Sequence, residues 1–512
     1  MLEDLDPTHM NHGHSKQSDS HATHHRGVHF DLPAAARRAV LAAGFEPDIN
    51  AEAKRQLDAI DGPAPIAPAI RDLRDRPWSS IDNTESRDLD QIEMAEQLPD
   101  GSIRLVIGVA DVDVLVPKGS PLDEHAFANC TSVYTGVEMF PMLPEKLSTD
   151  FTSLNEGTDR LIIAIETVVN DQGEVVSHDV YRAMARNGAK LAYDEVGTWL
   201  DGGAPPKKLA GNATLTAQLT LQAAASKRLK AERIRNGALE FDTIEASPIT
   251  QNGRVVDLRV VHKNHARDLI EDFMIASNVA IAKFLEEKGR SGIRRVVREP
   301  ERWSRIVELA GRYGDALPSA PDSRSLAEFL ARRRAADPDR FPDLSISIVK
   351  LMGPGIYALD LPGKDPGGHF GLAAHDYTHA TAPNRRYADL VTQRLVKAAL
   401  SNTPAPYSDD ELAAVAKQCT EREDAENKVE RSVRKIVAAL LLSDRIGETF
   451  DAIVTGASQK GTFVRTIHPP AEGMVVRGRE GFDVGDKVRV KLVAADPQKA
   501  FIDFEGRGER GH

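Results

Sequence analysis

Residues 80–91 hold a dense group of acidic side chains, namely Asp82, Glu85, Asp88 and Asp90. Carboxylates this close together repel one another, and a divalent cation placed among them removes the repulsion. Their spacing is too irregular for one helix face, and the Asn, Thr and Ser between them favour turns. The stretch predicts a loop wrapped around an ion, although a solvated acidic surface loop would have the same composition. It is not an EF-hand, because the glycine and terminal glutamate of that loop are missing.

The acidic stretch resembles the aspartate signature of the ribonuclease II / ribonuclease R (RNB) exoribonucleases. Further segments that are similar to this family follow in the same order, at residues 109–112, 141–144, 237–239, 369–372 and 383–390. Together they span roughly residues 76–400. One such segment would be a weak signal, whereas a collinear series indicates the family.

The resemblance implies a metal site built on this loop. Asp82, Asp88 and Asp90 are its expected ligands for Mg²⁺, with Mn²⁺ as a substitute, and Asp90 is the carboxylate on which hydrolysis depends most. Gln91 departs from the family pattern, which has a fourth aspartate there. A glutamine oxygen can coordinate a cation but brings no charge, so Gln91 predicts weaker binding of one ion.

The resemblance also implies residues that contact RNA. Tyr134 matches a tyrosine that stacks near the 3′ end, and Arg385 matches an arginine that grips a phosphate beside the metals and takes part in catalysis. Glu430 matches, on a looser alignment, a glutamate that lines the terminal-nucleotide pocket. A half-buried core tyrosine and a structural salt bridge are the alternative interpretations of Tyr134 and Arg385.

Residues 447–506 have a different pattern, in which Val, Phe and Ile alternate with polar residues between glycines. They resemble an S1-type OB-fold, a small five-stranded barrel that binds RNA by stacking and a basic groove. Phe463 and Arg465 are predicted on its binding face. Phe450 and Phe504 are predicted in its core.

These elements predict an α+β protein: a central RNB catalytic domain, a short helical N-terminal region and a C-terminal OB-fold barrel. The expected segments are a disordered His-rich tail, a helical region, the catalytic domain, its helical extension and the barrel, at residues 1–28, 29–75, 76–400, 401–446 and 447–506. Adventitious metal binding is a second interpretation of the tail.

Local patterns predict individual elements. Two short helices are expected between residues 32 and 60, and a hairpin turn at residues 170–173. Longer helices are expected at residues 213–235, at 265–288, and from Pro383, since proline favours a first helical position. Residues 408–446 predict one long charged helix or a helix pair.

The composition of the 512-residue chain is that of a soluble globular protein of about three structural units. Its two cysteines cannot build a disulfide framework, so a reducing cytoplasm is expected. No apolar run reaches the ~20 residues of a membrane span, and nothing indicates an obligate protein partner. The net charge of −12 at pH 7 argues against nucleic-acid binding by the whole surface. It does not exclude a local basic channel.

The function implied by the resemblance is that of a processive 3′→5′ exoribonuclease, which hydrolyses single-stranded RNA to nucleoside 5′-monophosphates with magnesium. One alternative is a catalytically weakened RNA-binding protein of the same fold, because Gln91 removes a charge. The other is a phosphodiesterase that acts on short oligonucleotides.

Overall fold

The structure, a computed structural model, describes residues 30–65, 70–242, 245–251, 254–261, 263–338, 340–458, 461–482 and 484–510. The predicted tail of residues 1–28 lies outside the described residues. The first half of the chain forms α1 (Leu32–Ala42), α2 (Ala51–Asp58), β1 (Arg71–Asp72), β2 (Ser80–Asp82), β3 (Gln91–Gln97), β4 (Ile103–Ala110), α3 (Pro121–Asn129), β5 (Val133–Tyr134), β6 (Met139–Phe140), β7 (Asp159–Val169), β8 (Val175–Arg186), β9 (Lys190–Ala192), α4 (Tyr193–Leu200) and α5 (Ala213–Arg235).

The second half forms β10 (Glu245–Gln251), β11 (Arg254–Val261), α6 (His265–Glu287), β12 (Gly292–Val296), α7 (Trp303–Arg312), α8 (Ser323–Ala336), α9 (Phe341–Met352), β13 (Ile356–Asp360), α10 (Tyr387–Leu400), α11 (Asp409–Leu442), β14 (Thr449–Ser458), β15 (Gly461–Thr466), β16 (Glu472–Arg477), β17 (Lys487–Asp496) and β18 (Phe501–Arg510). This mixture of helices and strands is the predicted α+β class. Among the helices of the described residues, none combines the length and the apolar character that a membrane crossing requires.

A five-stranded sheet with the order β1-β8-β7-β4-β3 forms the central layer. Its long strands pair antiparallel, and β7 and β8 form the predicted hairpin. The hairpin turn is closed by the Asn170 side chain, which accepts hydrogen bonds from the amides of Gln172 and Glu174, each 2.9 Å long. The apolar run of residues 103–116 predicts one long strand, but β4 ends at Ala110 because residues 112–114 form a 3₁₀ helix.

Helices α5 and α6 pack against this sheet and bury its apolar side chains. Each has the bounds that its sequence predicts to within one residue. The apolar stripe of α6 is buried along its whole length, at Leu269, Phe273, Ala276, Ala280 and Phe284. This periodic burial is that of an amphipathic helix whose apolar face covers the sheet.

The two N-terminal helices and the long α11 are fixed by caps that their sequences supply. The Asp31 carboxylate accepts a hydrogen bond from the amide of Ala34, and the Asn50 side chain accepts two from the first turn of α2. Ser408 and Glu411 form a capping box at the start of α11. α11 runs for 34 residues without a break, so the stretch predicted as one helix or a pair is one helix, followed by a 3₁₀ turn.

The C-terminal strands close into a barrel with the order β14-β15-β16-β18-β17. Phe450 and Phe504 are buried in it, with an edge-to-face contact and ring centroids 6.4 Å apart, which confirms their predicted core role. The barrel interior is continuous with an apolar cluster that includes Val40 of α1 and Val437 of α11. The barrel is therefore packed onto the rest of the chain through these two helices.

Candidate active site

The acidic loop connects β2 to β3. Asp82 is the last residue of β2, and Gln91 is the first residue of β3. The Asp82 carboxylate accepts hydrogen bonds from the Asn83 amide, at 2.7 Å, and from the Ser86 hydroxyl, at 2.9 Å. Burial raises the pKa of Asp82, although these hydrogen bonds and the charge of Arg385 oppose the shift.

Asp90 lies at the centre of the site. Its side chain is 2% exposed and accepts hydrogen bonds from the Asn384 amide, at 2.9 Å, and from Arg385 Nε, at 3.2 Å. Burial raises the pKa of Asp90 to about 7, against the opposing effects of Arg385 and the Asn384 amide. A buried carboxylate that is held by an arginine and titrates near neutrality is a typical feature of a functional site.

Residues 383–386, which include the two residues that bind Asp90, do not form a helix. The prediction that a helix begins at Pro383 is therefore wrong. α10 begins at Tyr387, and residue 386 is still extended. The reason is Asp389, whose buried carboxylate accepts hydrogen bonds from the Ala382 amide, at 2.8 Å, and from two guanidinium nitrogens of Arg386, at 2.7 and 2.8 Å. This clamp holds the segment as a turn, which leaves the Asn384 amide free to reach Asp90 instead of entering a helix.

Tyr134 lies beside the same carboxylates. Its hydroxyl donates a 3.2 Å hydrogen bond to Asp88 Oδ2, while 40% of the residue stays exposed. The amide of Ser132, two residues earlier, donates to the Arg385 carbonyl at 3.0 Å. Tyr134, Asp88, Asp90 and Arg385 are thus brought together from three separate parts of the chain.

The donor set of the loop fits a divalent cation. The charge of Asp88 raises the pKa of both Asp82 and Asp90, after the larger effect of burial, so the three carboxylates share one electrostatic environment. Hard oxygen donors of this kind are the ligands that magnesium prefers. In the part of the chain that the structure describes, no three acidic, His or Cys side chains converge as a preformed cation site. Asp82, Asp88 and Asp90 are the residues that would hold the ion.

Gln91 takes the first position of β3, where it pairs with Val109 of β4, and it is 9% exposed. Its strand position places it at the edge of the acidic loop rather than within it. Glu430 lies on α11 and accepts a 2.5 Å hydrogen bond from Arg434, one turn further along the helix. Among the described residues, no hydrogen bond or ion pair joins Glu430 to the acidic loop.

The two residues predicted on the RNA-binding face of the barrel have different surroundings. Phe463, on β15, is 37% exposed. The guanidinium of Arg465, on the same strand, forms a 2.9 Å ion pair with the buried carboxylate of Asp343 at the start of α9. Arg465 therefore joins the barrel to the core, and its role in RNA binding stays a prediction.

Two groups near the site were missed by the sequence reasoning. Glu93 is completely buried in β3, and burial, followed by the charge of Asp82, raises its pKa well above the usual range. Arg267 donates a 2.9 Å hydrogen bond to Asn83 Oδ1, and its guanidinium carbon lies 4.5 Å from the ring centre of Tyr193. Glu93 could have been found from the sequence because it alternates with Gln91 along a strand. Nothing in the local sequence marks Arg267, because its partner Asn83 is 184 positions away.

Comparison with known families decides the assignment of this core. Residues 70–402, more than half of the chain, match the family described as RNB domain. The chain belongs to the RNB family. Residues 448–506 match the family described as the RNase II-type exonuclease C-terminal S1 domain, and the closed five-stranded barrel is consistent with its OB-fold.

Individual RNB proteins are similar over most of this chain. Ribonuclease R of Thermotoga maritima is 31% identical over 472 residues, which cover 85% of this chain and 64% of that protein. The chain spans between 55% and 64% of the length of the first curated relatives that it matches.

Solved structures share the RNB fold at low sequence identity. Mycoplasma genitalium RNase R in complex with ribose methylated single-stranded RNA has a TM-score of 0.84 at 22% identity, covering 93% of this chain and 78% of that one. Yeast Ssd1, described as a pseudonuclease, has a TM-score of 0.69 at 17% identity, covering 90% of this chain and 57% of that one. At these identities the likeness establishes the fold alone.

Proposed function

We propose that this RNB protein is a processive 3′→5′ exoribonuclease that hydrolyses single-stranded RNA to nucleoside 5′-monophosphates. The observation that carries the proposal is the buried carboxylate of Asp90, held between the Asn384 amide and Arg385, with Tyr134 and Asp88 beside it. The family supports a hydrolytic nuclease. The RNA-bound state of the Mycoplasma genitalium relative supports RNA as the ligand.

Asp82, Asp88 and Asp90 would hold Mg²⁺, or Mn²⁺ in its place. When bound, such ions activate water and stabilise the leaving oxygen of a phosphodiester. Arg385 binds Asp90 through Nε, and 42% of its side chain is exposed, so its terminal nitrogens are available to a phosphate. Gln91, as a neutral oxygen donor, would bind one ion weakly.

The exposed ring of Tyr134 is placed to stack on a base near the 3′ end. Its hydroxyl is fixed by Asp88, so the ring is oriented before RNA binds. Stacking of this kind contributes ~1–3 kcal/mol per base and is indifferent to sequence, as a processive enzyme requires. In this proposal Glu430 contributes to the terminal-nucleotide pocket from α11.

The parts of the chain divide this work. Residues 76–400 act as the catalytic domain, residues 401–446 extend it as a helix, and residues 29–75 support it from the N-terminal side. Residues 447–506 bind RNA further from the site, with Phe463 on the binding face. We place the protein in the cytoplasm, where its two buried thiols, Cys130 and Cys419, stay reduced. Single-stranded RNA is its proposed partner, and nothing in the sequence indicates an obligate protein partner.

A catalytically weakened RNA-binding protein is the second candidate. Gln91 favours it, because the family pattern has a carboxylate at this position, and so does the likeness to the pseudonuclease fold of Ssd1. A phosphodiesterase restricted to short oligonucleotides is the third candidate.

A degradation ladder separates the three candidates. A 5′-labelled single-stranded RNA is incubated with the protein and MgCl₂, and products are resolved over time, with a short oligonucleotide and a matched DNA strand in parallel. The exoribonuclease yields monophosphates from the long RNA and discriminates against DNA, because DNA lacks the 2′-hydroxyl. Binding without products supports the weakened protein, and cleavage of the short substrate alone supports the phosphodiesterase.

A further inference from the structure

Gln393 is a buried residue in the middle of α10, and its side chain joins that helix to the end of β4. It is 3% exposed, and its Nε2 donates a 2.7 Å hydrogen bond to the Ala110 carbonyl. Its Oε1 accepts a 3.1 Å hydrogen bond from the amide of Asp113, which lies in the 3₁₀ turn after β4. Both ends of the side-chain amide are therefore bound to backbone groups at the point where β4 ends.

This strand end is in direct contact with the carboxylate loop. The Ala110 amide donates a 2.9 Å hydrogen bond to the backbone carbonyl of Asp90. Ala110 thus lies between the two residues, because Gln393 binds its carbonyl while its amide binds Asp90. The backbone of Asp90 is linked to Gln393 through a single intervening residue.

The helix that carries Gln393 also fixes the side chain of Asp90. Asn384 and Arg385, which donate hydrogen bonds to the Asp90 carboxylate, lie just before α10 begins at Tyr387. The carboxylate of Asp90 is therefore held from the start of α10, and its backbone is held from the middle of the same helix. One helix fixes both ends of the residue.

Ion pairs hold α10 against the turn that Gln393 contacts. Lys397 and Arg394 pair with Asp113 at 2.7 and 2.8 Å, and Lys397 also pairs with Asp111 at 2.8 Å. These contacts do not depend on the amide of Gln393. An apolar side chain at position 393 would therefore leave the helix on the turn and remove the bridge through Ala110.

We propose that Gln393 is a positioning residue, which holds Asp90 opposite Arg385 in the geometry that hydrolysis requires. This inference rests on the proposed function. An amide suits the task because it donates and accepts at the same time, so that one side chain satisfies both a carbonyl and an amide of the backbone. Accurate placement matters, since a displacement of about 1 Å can lower a rate by about 100-fold.

The variant Gln393→Leu keeps a similar volume and removes both hydrogen bonds. Gln218→Leu is the matched control, because Gln218 of α5 forms the same kind of bridge to β3. Its side chain accepts a hydrogen bond from the Ala95 amide and donates one to the Ala95 carbonyl, both 2.8 Å long. Each variant leaves one bridge from a helix to a strand unmade, so both should melt below the parent. Only the bridge of Gln393 ends beside Asp90.

A readout that needs no activity is the amide signal of Asn384 in an NMR spectrum of the full chain with ¹⁵N-labelled asparagine. The signal is identified by its absence from an Asn384→Ser variant. Because this amide donates to the Asp90 carboxylate, Gln393→Leu should shift the signal and Gln218→Leu should leave it in place. An unchanged signal in Gln393→Leu, or the same shift in both variants, overturns the proposal.

The same proteins are assayed on labelled RNA, so that the two proposals can fail separately. Gln393→Leu should lower kcat roughly 10-fold to 100-fold with little change in KM, and Gln218→Leu should keep both constants. If the parent degrades no RNA but the Asn384 signal shifts in Gln393→Leu alone, the proposed function is wrong and the placement of Asp90 by Gln393 stands. If the parent degrades RNA and Gln393→Leu has the same kcat, the function stands and the role of Gln393 is overturned.

Discussion

The RNB core and the C-terminal barrel use charged residues in opposite ways. In the core, Asp90 is buried and forms an ion pair with Arg385, which is 295 positions away in the sequence. In the barrel, Arg465 forms an ion pair with the buried carboxylate of Asp343, which lies on α9. A buried, paired carboxylate with a raised pKa is typical of a functional site, whereas the ion pair of Arg465 attaches the barrel to the rest of the chain.

The exposed aromatic residues of the two regions sharpen this difference. Tyr134 and Phe463 are exposed to nearly the same extent, at 40% and 37%. The ring of Tyr134 is fixed through its hydroxyl to Asp88, whereas Phe463 has no polar group that could fix it. Although the two rings are exposed to a similar extent, we expect them to have different roles. Loss of the Tyr134 ring should change product length, and loss of the Phe463 ring should change the affinity for long RNA.

Because the barrel shares an apolar cluster with α1 and α11, its deletion would expose core side chains. The contribution of the barrel to RNA binding is therefore better measured by substitutions that leave this cluster intact.

The largest effect is expected at Asp90. Asp90→Asn preserves shape but removes the charge on which cation binding depends, so kcat should fall by about a thousandfold or more, equivalent to ~4 kcal/mol. RNA affinity should be kept or tightened, because a negative charge near phosphate is lost. Single-turnover degradation and filter binding of the same RNA measure the two quantities. A variant as active as the parent removes Asp90 from the mechanism.

The stability of this variant has a defined pH dependence. The folded pKa of about 7 lies above the usual 3.8, so the metal-free parent loses stability as the pH rises from about 4 through about 7. Asp90→Asn has no such loss. Without metal it should therefore equal or exceed the parent in melting temperature at pH 8, and the gap should close at low pH.

At the junction of the two regions, Arg465→Ala should destabilise the protein by ~3–5 kcal/mol, because Asp343 is left buried and unpaired. Burial already raises the pKa of Asp343, so the loss should be greatest near neutral pH and shrink as acid protonates the carboxylate. Adding Asp343→Ala should restore most of the stability in chemical denaturation.

The double variant also decides whether Arg465 contacts RNA. If Arg465 serves attachment alone, the restored protein binds long RNA like the parent. Weak RNA binding by a stable double variant would instead support the predicted binding role.

Tyr134→Ala should lengthen the smallest product rather than abolish cleavage, since loss of stacking costs ~1–3 kcal/mol and lets short products dissociate. Tyr134→Phe is the control, because it keeps the ring and loses only the bond to Asp88. High-resolution gels of the limit products measure the difference. Unchanged product lengths in Tyr134→Ala would favour a structural role for the ring.

The smallest effect is expected for Phe463→Ala, which should weaken binding of long RNA by about 1 kcal/mol and leave cleavage of a short oligonucleotide unchanged. Val476→Ala is the control, since Val476 of the adjacent β16 is 39% exposed but has no ring to stack. Equal affinity of both variants for long RNA would place the RNA path elsewhere on the barrel.

Much of the fold could be predicted from the sequence because its signals are short-range. The apolar period of α6, the caps of α2 and α11 and the Asn170 turn each depend on residues within a few positions. The acidic loop was equally visible, since its carboxylates are adjacent in the chain. The sequence by itself thus determined the element types and marked the carboxylates that we propose as metal ligands.

Only the tertiary structure decided which hydrogen-bond and ion-pair partners these residues have. Asp389 overrides the helix-starting preference of Pro383, because a buried carboxylate needs the Ala382 amide and the Arg386 guanidinium more than the segment needs helical bonds. The pairing of Arg465 with Asp343 and the burial of Glu93 likewise depend on packing between distant segments. Burial and pairing of charge are properties of the assembled core, and no local pattern specifies them.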